Sequence, residues 1–102
     1  MKITIDNLQN YFFAVDGDGD YSAVIEAEND QVVLYIYNRK SEKILQALLL
    51  HEVTTLPYVL DVAWDGDVCK IALPDQKWAD FNVASGIGRV CDDFAGGWTS
   101  AG

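Results

Sequence analysis

Five aspartates on two glycine-containing turns are the residues best placed for chemistry: Asp16, Asp18, Asp20, Asp65 and Asp67. Carboxylates at positions 1, 3 and 5 of a loop are typical of calcium sites, and residues 16–20 have that spacing. The rest of the loop does not fit, because Tyr21 stands where a glycine is needed and Ala27 where a bidentate glutamate is needed. We therefore expect no calcium site and interpret both turns as acidic connections.

The sequence lacks a residue that each of three further kinds of site requires: a zinc site, a nucleophile elbow and a dinucleotide-binding loop. The His-Glu pair at residues 51–52 begins like a zinc-protease motif, but Thr55 stands where the second histidine belongs. Ser85 does not lie in a nucleophile elbow, and Gly86 and Gly88 lack the third glycine of a dinucleotide loop. We expect no metal ion and no cofactor.

Asp92 and Asp93 form a third acidic cluster, which could meet the two turns in space. Glycoside hydrolysis uses two carboxyl groups at a defined separation, one of them with a pKa raised by burial. Aspartates beside glycine on exposed turns are poor candidates for that role. The sequence therefore predicts a protein that is not an enzyme, with a small enzyme or ligand-binding domain kept as an alternative.

The charge of the chain is strongly negative and uneven. Sixteen acidic against seven basic residues give a net charge of −9, which is concentrated in residues 1–30 and 61–102. Such a field repels phosphate and accelerates encounter with a basic partner. The one local basic cluster is Arg39-Lys40 with Lys43, so we expect no direct binding to nucleic acid. Solubility alone is the competing interpretation of the charge.

No apolar run approaches the roughly 18 residues of a membrane span, and the first residues lack the apolar stretch of a signal peptide. We expect a cytoplasmic protein with no membrane partner. In that reducing compartment, Cys69 and Cys91 are interpreted as small buried hydrophobic residues rather than as a disulfide.

The first half of the chain reads as a series of short elements. Residues 1–5 predict a strand, and residues 7–14 have the spacing of a short helix, with a strand over 11–15 as the alternative. Residues 21–28 alternate as a strand with one polar face. Residues 31–37 form a strand that is apolar on both faces, as expected near the centre of a sheet or under a helix.

The second half contains the clearest pattern. The composition of residues 42–53 favours a helix, but these residues show no clean polar helical face, so we expect a strand and keep a helix as the alternative. Residues 58–73 predict a hairpin with a type I′ turn at Asp65-Gly66, because an Asp-Gly pair separates two alternating runs. Residues 83–94 predict a helix that Gly96-Gly97 ends.

The resulting fold class is α+β, in a single domain over residues 1–102. It contains a mainly antiparallel sheet of about five or six strands, a C-terminal helix and, in one of the two alternatives, a short N-terminal helix. A chain of this length buries roughly two thirds of its unfolded surface, so it can fold without metals or disulfides.

The tail over residues 83–98, together with small size, acidity and element layout, resembles the immunity proteins of bacterial polymorphic and contact-dependent toxin systems. The resemblance implies an acidic inhibitor that occludes a basic functional surface of a nuclease-type toxin. A phage-encoded inhibitor of a nucleic-acid-targeting defence complex is the alternative. The residues expected to contact the basic protein partner are the acidic clusters and one tryptophan of the tail: Asp16, Asp18, Asp20, Asp65, Asp67, Asp92, Asp93 and Trp98.

Overall fold

The computed structural model describes residues 1–5, 11–28, 31–50, 58–94 and 96–100. Within these ranges the chain forms ten strands, one short 3₁₀ turn at Pro74–Gln76 and no α-helix. The strands are β1 (Lys2–Ile5), β2 (Tyr11–Asp16), β3 (Tyr21–Glu28), β4 (Gln31–Asn38), β5 (Lys43–Leu50), β6 (Tyr58–Asp65), β7 (Val68–Ala72), β8 (Trp78–Asn82), β9 (Ile87–Val90) and β10 (Gly97–Ser100).

The strands form two antiparallel sheets of five strands each. Sheet A has the order β1-β6-β7-β8-β9, and sheet B has the order β10-β5-β4-β3-β2. The chain therefore starts in sheet A, makes four strands of sheet B, returns for four strands of sheet A and ends in sheet B. β1 belongs to sheet A although β2 belongs to sheet B, and β10 belongs to sheet B although β9 belongs to sheet A. These two exchanges connect the sheets.

The core lies between the sheets and follows from the alternation of side chains along each strand. Sheet B contributes small and branched residues from its central strands, such as Ala23, Ile25 and Leu34. Sheet A contributes Leu60 and Phe81, among others, and each of these five side chains is at most 1% exposed. The inner faces of both sheets belong to one apolar cluster. The opposite face of each strand therefore points outward, where it can contact solvent or a partner.

The predicted C-terminal helix is wrong, and with it the α+β class. Residues 83–86 form a turn, and β9 pairs with β8 in antiparallel register. The Asn82 side chain accepts hydrogen bonds from the backbone N–H groups of Ala84 (2.9 Å) and Ser85 (3.1 Å), and Gly86 has a φ of +73°. This side-chain-stabilised turn reverses the chain, so the spacing that resembled a helical face belongs to a hairpin.

The short helix predicted for residues 7–14 is wrong over residues 11–14, because residues 11–16 form β2 and pair with β3. The strand alternative over 11–15 is confirmed, and residues 6–10 lie outside the described ranges. The strand predicted for residues 42–53 is confirmed over 43–50, and residues 51–53 lie outside the described ranges. In the part of the chain that the structure describes, ten strands in two sheets replace the expected five or six strands.

The hairpin of residues 58–73 is confirmed, but its turn is displaced by one residue. Asp65 pairs with Val68, which makes Gly66 and Asp67 the two loop residues. Of these two, Gly66 alone has a positive φ, +58°. A type I′ turn needs positive φ at both positions, whereas glycine at the first position with positive φ is the pattern of a type II′ turn.

None of the described segments is a helix with the length and apolarity needed to cross a membrane.

Candidate functional site

The first acidic turn, residues 16–20, is held in shape by Arg39. Its guanidinium donates hydrogen bonds to the carbonyl oxygens of Gly17 (3.3 Å) and Gly19, and lies 3.4 Å from the Asp16 carboxylate. Asp16 also accepts a hydrogen bond of 2.6 Å from the buried hydroxyl of Ser22. Arg39, part of the basic cluster seen in the sequence, is thus engaged within the fold.

Trp64 joins the first acidic turn to the second. Its indole N–H donates to the backbone carbonyl of Val15 at 2.9 Å, and its ring lies so close to Gly17 that an added Cβ there would be 2.9 Å away. Because Trp64 immediately precedes the turn at residues 65–67, both turns lie at the same end of the sandwich. We call the surface formed by residues 16–20 and 65–67 the acidic end.

The aspartates of the acidic end differ in how they are neutralised. Asp65 pairs with Lys70 at 3.0 Å, and Asp16 pairs with Arg39. Three exposed aspartates of the acidic end, Asp18, Asp20 and Asp67, have no ion-pair partner among the described residues, which include all seven Lys and Arg residues. The turn between β4 and β5 also lies at this end and carries Lys40, so the end is not uniformly negative.

Asp92 and Asp93 lie away from the acidic end. They follow Cys91, whose N–H donates to the carbonyl of Trp78 at the start of β8, whereas β8 ends at Asn82 beside the second acidic turn. Four strand steps, about 13 Å, separate those two positions. The seven candidate aspartates therefore form two separate groups rather than one surface.

Trp98 has a packing role in the fold. Its ring lies 5.2 Å from that of Phe81, and its indole N–H donates to the carbonyl of Arg89 at 3.1 Å. An added Cβ on Gly88 would come within 2.6 Å of the Trp98 ring. Trp98 thus joins β10 of sheet B to β8 and β9 of sheet A, and we call this contact the seam.

A surface that the sequence reasoning missed lies on the outer face of sheet B. Six side chains from β2, β3, β4 and β5 line an open groove of about 440 Å³: Phe12, Val24, Glu26, Tyr35, Tyr37 and Ile44. Phe12 is 65% exposed and Ile44 is 41% exposed, and apolar side chains grouped in this way on a sheet face mark interaction surfaces. We call it the aromatic groove. Its signal in the sequence was the strand 31–37 with two apolar faces, which we interpreted as a sheet centre or a surface under a helix.

Among the described residues that line the groove, Glu26 alone is charged. It lies directly opposite Phe12 on β2 and Val33 on β4, and Tyr35 lies diagonally across from it. Directly opposed Cβ atoms are about 5 Å apart in such pairs, so the carboxylate lies within reach of the neighbouring rings.

The described residues contain no group of three or more His, Cys, Asp or Glu side chains arranged to hold a metal ion. Both cysteines are free thiols, and Cys69 is fully buried. Burial, with a contribution from Asp80, raises the pKa of the Cys69 thiol to about 12, and burial raises the pKa of Tyr58 to about 12. At neutral pH both groups are therefore protonated and serve the core rather than nucleophilic chemistry.

No protein family, curated protein or solved structure matches this chain. The functional conclusion accordingly rests on the acidic end and the aromatic groove.

Proposed function

We propose that this protein is a non-catalytic binding module that covers a basic surface of a partner protein and thereby inhibits it. One observation carries the proposal: two acidic turns far apart in sequence meet at Trp64 and leave Asp18, Asp20 and Asp67 exposed without ion-pair partners among the described residues. Unpaired surface carboxylates attract a positively charged partner and accelerate its association.

Within that class, we propose the neutralisation of a nuclease-type toxin in the bacterial cytoplasm. A site built to hold nucleic-acid phosphates is rich in Lys and Arg, and a surface with several unpaired carboxylates complements it. Inhibition by coverage needs no catalytic group on the inhibitor, in keeping with carboxylates that lie exposed on turns. A phage-encoded inhibitor of a defence complex would use the same chemistry, so the identity of the captured partner distinguishes the two.

The test uses affinity capture from the native host, followed by association kinetics with the purified partner. The variant Asp18→Asn/Asp20→Asn/Asp67→Asn should associate at least tenfold more slowly than the wild type at 0.01 M salt. The difference should shrink at 0.1 M salt, because the Debye length falls from about 30 Å to about 10 Å. The matched control is Asp92→Asn/Asp93→Asn, which removes charge at the other end of sheet A.

A second measurement tests inhibition itself. The captured partner should cleave nucleic acid when alone and lose that activity when wild-type protein is added in equimolar amount. Equal association rates for the wild type and the acidic-end variant at low salt would refute the proposed contact. A partner without nuclease activity would refute the proposed toxin class but leave the contact standing.

A further inference from the structure

The outer face of sheet A contains an arginine site within the protein itself. Arg89 on β9 donates two hydrogen bonds to the carboxylate of Asp80 on β8, at 2.7 and 3.0 Å. Its guanidinium carbon lies 5.8 Å from the centre of the Trp78 ring. Trp78 and Asp80 are two residues apart on one strand, so their side chains share a face. On the outer face of this sheet, a guanidinium that strand pairing places opposite Asp80 thus contacts both a carboxylate and an aromatic ring.

The aromatic groove of sheet B presents the same two groups without a cation. Glu26 is exposed, with Phe12 directly opposite and Tyr35 on the diagonal. All seven Lys and Arg residues lie within the described ranges, and none of them forms an ion pair with Glu26. The cation that would complete this site therefore has to come from another molecule.

We infer that the aromatic groove binds an arginine side chain of the basic partner, with the guanidinium at the Glu26 carboxylate and against the ring of Phe12 or Tyr35. The inference rests on the proposed function for the basic character of that partner. The apolar stem of the arginine would lie along Val24, which lines the same groove two residues from Glu26 on β3. Arginine is enriched among the residues that dominate binding energy at interfaces, and aromatic rings attract its charge.

The groove lies on the same face of sheet B as Asp16, and Phe12 is about 13 Å from Asp16 along β2. Phe12 and Asp16 lie on the same face of β2, since they are four residues apart along a strand. A partner that contacts residues 16–20 can therefore also reach the groove. The two surfaces would act together, with the exposed aspartates steering the encounter and the groove holding one side chain.

Charge selects a basic partner over a second copy of this chain. Each copy carries a net charge of −9, so two copies repel each other. Pairing the groove with itself would also bring two Glu26 carboxylates into a desolvated interface, where unpaired charge is costly. An arginine removes this cost because it neutralises the carboxylate as it covers the rings.

The test is an NMR titration of the ¹⁵N-labelled protein with an acetylated, amidated tri-arginine peptide at low salt. The control peptide is tri-citrulline, which has nearly the same shape and no charge. Tri-arginine should shift the amide signals of β2, β3 and β4 around Glu26, and tri-citrulline should not. Glu26→Gln should weaken groove binding about fivefold and Phe12→Ala about threefold, as expected for exposed charge and cation–π contacts. Asp92→Asn should leave it unchanged.

The outcomes separate this inference from the proposed function. Shifts confined to residues 16–20 and 65–67, with Glu26→Gln binding like the wild type, would overturn the groove and leave the acidic end standing. Shifts at the groove alone, unaffected by Asp18→Asn/Asp20→Asn/Asp67→Asn, would support the groove and count against the acidic end. A dimer in sedimentation that Phe12→Ala dissociates would also overturn the inference, because a second copy would then occupy the groove.

Discussion

The outer faces of the two sheets carry similar chemical groups in different states. On sheet A, Arg89 neutralises Asp80 and lies over Trp78, so carboxylate, ring and cation complete one another within the chain. On sheet B, Glu26 provides a carboxylate and Phe12 provides a ring. No described basic side chain forms an ion pair with Glu26. The difference teaches that the chain neutralises the carboxylate on the outer face of sheet A by itself, whereas Glu26 on sheet B remains available to a cation from another molecule.

This contrast is informative because the inner faces of the two sheets are alike. Both are filled with buried apolar side chains, and each sheet contributes to the same cluster. Stability therefore explains the inner faces but not an outer face that groups exposed apolar side chains with one carboxylate.

Alkaline pH should produce the largest effect, because it acts on the core beneath sheet A. The pKa of Cys69 is raised to about 12 in the folded protein, from an ordinary value of 9.0, and Tyr58 to about 12 from 10.0. Both groups stay protonated when folded and ionise when unfolded. The stability they support is thus complete below about pH 9 and is lost as pH rises towards 12, by about 1.4 kcal/mol per pH unit for each group.

Urea unfolding at pH 8, 9, 10 and 11 measures this loss. Tyr58→Phe removes only the hydroxyl and should flatten the decline above pH 10, and Cys69→Ala should flatten it from pH 9. A free energy of unfolding that stays constant from pH 9 to 11 would mean that neither group is buried as described.

Gly88→Ala should destabilise the fold by about 1–3 kcal/mol, because it overpacks the seam between the two sheets. The added Cβ would come within 2.6 Å of the Trp98 ring and 3.0 Å of Phe81. Gly19→Ala is the matched control, since nothing lies within 4 Å of the Cβ it would add. Chemical denaturation of both variants gives the comparison, and equal costs would contradict the seam.

Replacing one aromatic residue on each outer face should affect stability on sheet A and peptide binding on sheet B. Trp78→Ala should cost about 1 kcal/mol, because Trp78 is 44% exposed and contacts Arg89. Phe12 is 65% exposed, so Phe12→Ala should cost less than about 0.5 kcal/mol while it weakens binding of tri-arginine. If Phe12→Ala destabilises the protein as much as Trp78→Ala, Phe12 packs against the fold and the groove is not free.

The smallest effect is expected from the ion pair on the outer face of sheet A. Arg89→Met keeps the apolar stem and removes the charge, so thermal denaturation at low salt should show a slightly lower midpoint. The difference should disappear in 1 M salt, because exposed pairs are screened. A difference that persists at high salt would show that Arg89 acts through packing rather than charge.

Side-chain alternation and turn residues in the sequence predicted a large part of the fold. The alternation of residues 21–28 and the Asp-Gly-Asp turn predicted β3 and the β6–β7 hairpin, because strand periodicity and turn chemistry depend on near neighbours in sequence. The same reasoning failed at residues 83–94, where Val90 and Phe94 have helical spacing. A few apolar residues between glycines fit both a helical face and a hairpin, and the Asn82 turn together with pairing to β8 decided for the hairpin.

The candidate site could be predicted from the sequence to a smaller extent than the fold. The sequence identified the acidic turns but could not group them, because the contact that joins them runs from Trp64 to Val15, 49 residues apart. It also gave no reason to single out Glu26, which reads as an ordinary polar residue on the wet face of a strand. Glu26 becomes distinctive only when strand register puts Phe12 and Val33 on either side of it.

By itself, the sequence determined that the protein is acidic, that regularly alternating segments such as residues 58–73 form strands, and that a turn lies near Gly66. These properties are fixed by composition and by interactions within a few residues. Only the tertiary structure decided that the strands form two sheets, that residues 16–20 and 65–67 share one end while Asp92 and Asp93 do not, and that an aromatic face stays open. These outcomes depend on long-range register, which is set when the apolar faces of distant strands are buried against one another.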